Sequence, residues 1–134
     1  MKPRYMLDTN TSIYFLKGNR ESVLKRVAGL NVGEAVISSI SYAELLFGVA
    51  TAPDPEKEAR AVEGLIAVVP VVAFDAAAAK TYAAIRKASP ERKADALDKL
   101  IAAHAASLDA TVITNNESDF ARYPGVKIEN WAAL

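Results

Sequence analysis

A chain of 134 residues with 51% hydrophobic content can bury one sizeable core and is too short to support a second domain. Its 16 basic and 16 acidic residues cancel, which excludes nucleic-acid binding by a global positive field and leaves only local basic patches for that purpose. No cysteine and a single histidine, His104, exclude disulfides, thiolate metal sites, thiol nucleophiles and multi-histidine metal centres.

In chain order, the first apolar run predicts a strand near Arg4 to Leu7 that ends in Asp8. Thr9, Asn10, Thr11 and Ser12 follow, all small hydrogen-bonding residues suited to the start of a helix near Thr11 to Leu16. In an open parallel sheet the carboxyl ends of strands border the ligand crevice, so Asp8 is a candidate for chemistry as well as for an N-cap. The amino terminus meets charged and polar side chains too early for a signal peptide, and a cytoplasmic protein is expected.

A second helix is predicted near Glu21 to Leu30 and a second strand near Ala35 to Ser38. From Glu34 to Asp54 the chain is apolar and its interior is uncharged except at Glu44. A lipid-spanning helix is not expected, because Ser38, Ser39, Ser41, Gly48 and Thr51 interrupt the run and its period switches from strand to helix. The expectation is a buried strand followed by a buried helix near Ser41 to Val49. On that helix Ile40, Ala43, Glu44 and Phe47 share one face, with no basic residue one turn away to pair with the carboxylate. Glu44 should therefore reach water in a cleft, pair with a distant cation or bind a metal; an exposed glutamate without a task is the alternative.

Further helices are expected near Pro55 to Ile66 and Ala76 to Lys87, separated by a strand near Val68 to Val72. Asp75 directly precedes the alanine-rich helix and is read as its cap. In the helix near Ala94 to Leu108, Asp95 and Lys99 have the spacing of a surface ion pair. Asp98 has alanines at its helical neighbours and no such partner. His104 lies on the stripe of Leu97, Leu100, Ile101 and Leu108, as a hydrogen-bonded core residue would. A strand near Thr111 to Thr114 empties into Asn115, Asn116 and Asp119, where Asn116 and Asp119 are either a cap and its partner or metal-competent oxygens. The last strand is predicted near Val126 to Ile128. Strands alternating with helices indicate an α/β layer fold with a mostly parallel sheet, and no Gly/Ser-rich linker or repeat interrupts it.

These residues resemble a PIN-domain ribonuclease, specifically the VapC toxins of toxin–antitoxin systems. The resemblance is carried by Met6-Leu7-Asp8-Thr9-Asn10, by Ser38 to Gly48 around Glu44, and by Leu97-Asp98-Lys99-Leu100-Ile101-Ala102-Ala103-His104-Ala105. It continues through Ile113-Thr114-Asn115-Asn116 with Asp119-Phe120 and into Pro124 to Trp131. It implies a PIN-like three-layer sandwich in one domain, with a central, mostly parallel sheet of about five strands. It also implies an acidic metal site of Asp8, Glu44 and Asp98, with Asn116 or Asp119 completing it and Thr9, Asn10 and Thr114 in support. Where many relatives carry an aspartate this chain has Asn116, one charge fewer. The glycine- and proline-containing loop common before the third acid is replaced by Ser89 to Asp95.

The implied reaction is hydrolysis of RNA by metal-activated water, with Mg²⁺, or Mn²⁺ in its place, suited to a site of carboxylates and no histidine. The products expected are a 3′-hydroxyl and a 5′-phosphate. Lys17, Arg20, Lys25, Arg86, Lys87, Arg92 and Lys93 are candidates to guide phosphates, each with a solvated helix face as the plain alternative. The family further implies an RNA substrate such as tRNA, a cognate VapB-like antitoxin and a homodimer, and no membrane partner. Two rivals stand beside this reading. A haloacid-dehalogenase-type phosphotransferase needs a second acid where this chain has Asn10, and a non-catalytic partner-binding module has no need of all three acids.

Overall fold

The protein is described here by a computed structural model covering residues 2–89 and 96–132. The sheet contains β1 (Tyr5–Leu7), β2 (Ala35–Ser38), β3 (Val71–Val72), β4 (Thr111–Ile113) and β5 (Ile128–Glu129), all parallel in the order β3-β2-β1-β4-β5. Around it lie α1 (Thr9–Lys17), α2 (Glu21–Ala28), α3 (Ser39–Thr51), α4 (Pro55–Val68), α5 (Ala76–Ala88), α6 (Ala96–Ser107) and the single turn α7 (Glu117–Phe120).

The strands divide their side chains between two cores, as a two-residue period requires. Met6, Val36 and Val112 enter a cluster with Ile85, Ile101, Ala102 and Phe120, from α5, α6 and α7. Leu7, Ile37 and Ile113 enter the opposite one with Val23, Leu45, Val62 and Leu65, from α2, α3 and α4. Helices thus cover both faces, which is why the strands read as continuous apolar runs rather than alternating ones. The expected three-layer sandwich with a five-stranded parallel sheet is what the chain forms.

Chain direction along the sheet decides where a site can lie. From β1 the chain moves outward through β2 to β3, then crosses back to place β4 on the other side of β1. Strand order reverses between β1 and β4, and such a switch point opens a crevice at the carboxyl ends of the strands. Leu7 pairs with Ile113 there, so Asp8 and Thr114 leave the sheet side by side.

Several expectations change. Helix α1 begins at Thr9, two residues early, because the Asp8 carboxylate already accepts a hydrogen bond from the Thr11 amide. The strand expected at Val68 to Val72 shortens to two residues, and Val68 ends α4 instead. Helix α3 is not buried all round: Leu46 is 45% and Phe47 67% exposed, and only Ser41 and Leu45 are fully enclosed. Lys99 is no surface residue; it is 0% exposed and donates to the Ser89 carbonyl at 2.8 Å. Asp95, its expected partner, lies outside the described residues, as do Arg92 and Lys93. Asp75 caps α5, as expected, accepting from the Ala78 amide at 3.0 Å. Among the described residues no helix is long and apolar enough to cross a membrane.

Candidate active site

Asp8 stands at the centre of the crevice. Its backbone amide extends the β1–β4 ladder by donating to the Ile113 carbonyl at 3.0 Å, and its carboxylate caps α1 through Thr11 at 2.8 Å. Thr11 in turn donates its hydroxyl to the Ile113 carbonyl at 3.0 Å, and Ser12 donates to the Asp8 carbonyl at 2.9 Å. The carboxylate is thus held rigidly while only 3% of the residue is exposed. Burial raises its pKa above the ordinary value, and hydrogen bonds from the Thr114 side chain and from Thr11 offset part of that rise. No cation is paired with Asp8 among the described residues. Capping and chemistry are therefore not exclusive readings of Asp8; the cap fixes the carboxylate whose charge is left uncompensated.

Thr114, buried at the end of β4, ties Asp8 to the next segment. Its hydroxyl oxygen accepts from the Asn116 amide at 2.8 Å. The Asn116 side-chain nitrogen then donates to Asp98 at 3.3 Å and to Asp119 at 2.9 Å. Asn116 occupies the N-cap position of α7 without a side-chain cap bond, because its amide is turned toward the two acids instead. Asn116 is thus the N-cap residue of α7 with Asp119 as its side-chain partner, and the same amide also reaches Asp98. Two carboxylates, one from the first turn of α6 and one from α7, converge on a single electropositive atom.

Glu44 approaches from α3. One turn before it, the Ser41 hydroxyl accepts from the Thr9 hydroxyl at 3.2 Å, so α3 docks against the start of α1 at that point. Glu44 is half-buried and, with Lys17 and Glu58, lines a cavity of about 290 Å³ between α1, α3 and α4. Its carboxylate has no hydrogen-bond or ion-pair partner among the described residues. Asn10 is exposed on the first turn of α1 and joins no part of this network. The acids therefore stand as a converging pair, Asp98 and Asp119, with Asp8 linked to it through Thr114 and Asn116 and Glu44 set apart. No three acids, among the described residues, are close enough together to enclose an ion as they stand.

Three participants were not foreseen. Ser41 and Asn115 stand in the resembling motifs without an assigned contact and Tyr14 in none, since the Thr9–Ser41 contact spans 32 residues and the Asn115–Tyr14 contact 101. His104 was foreseen as a hydrogen-bonded core residue and is one: its Nδ1 lies 2.8 Å from the Ser38 hydroxyl and its ring packs edge-on against Phe74. Of the expected phosphate guides, Lys17, Arg20, Lys25, Arg86 and Lys87 are all exposed.

Comparison with known proteins agrees with this fold. The profile of the PIN domain matches residues 5–126. The chain is similar, at 39% identity over 96% of its length and 98% of the relative's, to the tRNA(fMet)-specific endonuclease VapC of Salmonella typhimurium. It is 32% identical to ribonuclease VapC2 of Rickettsia felis, over 95% of this chain and 97% of that one. Among solved structures it resembles a chain of the DNA-bound VapBC of Salmonella typhimurium, with a TM-score of 0.85 and 37% identity over 96% and 98% of the two chains. VapBC-1 from nontypeable Haemophilus influenzae is similar at a TM-score of 0.81 and 32% identity, covering 96% and 98%.

Proposed function

The chain belongs to the PIN-domain family, and from that premise we propose that it is a metal-dependent endoribonuclease, the VapC-type toxin of a type II toxin–antitoxin system. The observation that carries the reading is the convergence of Asp98 and Asp119 on Asn116, joined through Thr114 to a buried Asp8 that has no cation partner among the described residues. A buried carboxylate with no cation beside it, as Asp8 is among the described residues, is costly to keep ionised. A donor set of carboxylate and amide oxygens fits Mg²⁺ or Mn²⁺ and no softer metal.

Asp8, Asp98 and Glu44 are the residues that would hold the ion, with Asp119 or the Asn116 oxygen as the remaining donor. When bound, the ion supplies charge neutralisation at the attacked phosphate and a more acidic water. The protein's own contribution is placement. The Asp8 cap and the Thr114 bond hold one carboxylate at the switch point, and the Thr9–Ser41 bond docks α3, the helix that carries Glu44, against the start of α1. Asn116 keeps Asp98 and Asp119 together, and a half-turn of its amide about χ2 would present the oxygen in place of the nitrogen. In-line attack of water on the phosphorus leaves a 3′-hydroxyl and a 5′-phosphate, with the 2′-hydroxyl a bystander. The non-catalytic module is disfavoured because it gives no reason for the cost of the buried Asp8. The phosphotransferase is disfavoured because Asn10 is exposed and apart from the network.

Relatives named as tRNA(fMet)-specific endonucleases make tRNA the substrate to test first. A VapB-like antitoxin is the expected partner, in line with the VapBC complexes among the similar structures. A homodimer belongs to the same proposal, supported by the exposed Leu46 and Phe47 on α3, and so does a cytoplasmic site of action. Incubating the purified chain with tRNA in Mg²⁺ or Mn²⁺, and mapping the new ends, tests the activity. Cleavage that persists undiminished in chelator, or ends carrying cyclic phosphates, would reject the mechanism.

A further inference from the structure

We propose that Arg20, Tyr14 and Asn115 form a stacking and phosphate-contact subsite for one nucleotide of single-stranded RNA beside the acids, a proposal that rests on the ribonuclease reading above. Tyr14 lies on α1 six residues after Asp8, about 9 Å farther along the helix axis. Asn115 sits between Thr114 and Asn116, the two residues that link Asp8 to Asp98 and Asp119, and its side-chain nitrogen donates to the Tyr14 hydroxyl at 2.6 Å. That bond fixes the tyrosine ring to the acidic site. Arg20 then lies over the ring, its guanidinium carbon 4.7 Å from the ring centroid.

What makes this arrangement a ligand site is that Arg20 is held but not neutralised. The N-cap position of α2 gives its side chain no capping bond, and no carboxylate is paired with it among the described residues. The adjacent acid, Glu21, is bound to Lys25 at 3.2 Å. A guanidinium lying over an aromatic face keeps its N–H donors available to phosphate, and its planar surface is one on which a base stacks without regard to sequence. A concavity of about 200 Å³, lined by Asn19, Arg20, Glu21, Ser22 and Ala132, opens beside it. The Asn115 side-chain oxygen, which has no donor among the described residues, can accept from a ribose hydroxyl or a base edge. An electrically neutral protein gains no affinity for RNA from its overall field, so an oriented cation next to the acids has a disproportionate effect on where the strand lies.

The test is equilibrium binding of a short fluorescein-labelled single-stranded oligoribonucleotide, followed by anisotropy in chelator so that no cleavage intervenes. Arg20→Ala should weaken binding about tenfold, as expected for one lost stacking partner, and lower the salt-dependence slope by about 1. Arg20→Lys keeps the charge and should retain the slope while losing a large part of the affinity. Tyr14→Leu, which removes the platform, should weaken binding as Arg20→Ala does. Arg60→Ala, on the exposed side of α4, should change nothing. In cleavage assays with metal, Arg20→Ala should raise KM with kcat nearly unchanged. Affinity of Arg20→Ala within twofold of wild type, or of Arg20→Lys equal to wild type, would overturn the subsite. Loss of cleavage in Asp98→Asn alongside normal binding by Arg20→Ala rejects the subsite and leaves the nuclease. Arg20-dependent binding by a wild-type protein that cuts no RNA under any metal does the reverse.

Discussion

At the scale of the single residue, Asp8 shows how a structural role and a chemical one combine. Its carboxylate caps α1 while burial raises its pKa, so it serves the fold at an electrostatic cost. Asp8→Asn keeps a good cap and removes that cost. The variant should melt no lower than wild type in the absence of metal and should lose cleavage altogether; near-wild-type turnover would remove Asp8 from the site. Asp98→Asn should also abolish cleavage with the circular dichroism spectrum unchanged. Asn116→Asp adds a carboxylate where Asp98 and Asp119 already converge. It should strengthen divalent-metal affinity in calorimetric titration and lower the melting temperature of the metal-free protein, since like charges then face each other.

At the scale of the element, two side chains of α6 bind neighbouring segments together. His104 bonds to Ser38, the cap of α3, and through its ring to the Ala73 backbone between β3 and α5. Burial is the main cause of its lowered pKa, with Asp75 and the Ala73 bond acting in the opposite direction. The folded protein therefore binds a proton at His104 less readily than the unfolded chain, whose value is near 6.5. Stability should be fully present above that pH and fall as pH drops below it. Urea melts across this range should show the decline, and His104→Gln should flatten it. Lys99 joins the end of α5 to α6 from a fully enclosed position above the Tyr123 ring. Lys99→Ala should cost about 2–5 kcal/mol, as removal of a long buried side chain does, whereas Lys99→Met, keeping the stem, should cost clearly less.

At the scale of the whole molecule, the crevice between β1 and β4 collects acids from three parts of the chain. Bringing a divalent cation to that crevice lowers the cost of holding the carboxylates near one another. Mg²⁺ or Mn²⁺ that binds the folded state alone should stabilise it by about 2.7 kcal/mol at a hundredfold excess over its dissociation constant. Thermal melts with millimolar metal and with chelator measure the difference, and identical melts would argue for a partner-binding module. The exposed Phe47 belongs to this scale too. Phe47→Asp should leave the melting temperature nearly unchanged because the side chain is 67% exposed, while shifting any dimer toward monomer in light scattering.

The succession of strands and helices along the chain and the two-faced burial of the sheet were legible in the sequence. They follow from local period, from caps such as Asp75 and from apolar runs, all of which act within a few residues. Asp8, Asp98 and Asn116 could be named for the same reason: each is a polar side chain at the end or in the first turn of an element, next to an apolar run. What only the tertiary structure decided is which of these groups meet. The Asn116 side chain holds Asp98 and Asp119 together, Lys99 is fully enclosed where its stretch reads as surface, and Phe47 is open to solvent although its stretch reads as core. Tyr14 meets Asn115 across 101 residues because β1 and β4 lie side by side. Hydrophobic period specifies that a face is covered, not by what, and a side chain's partner across the fold depends on strand order, which no local pattern encodes.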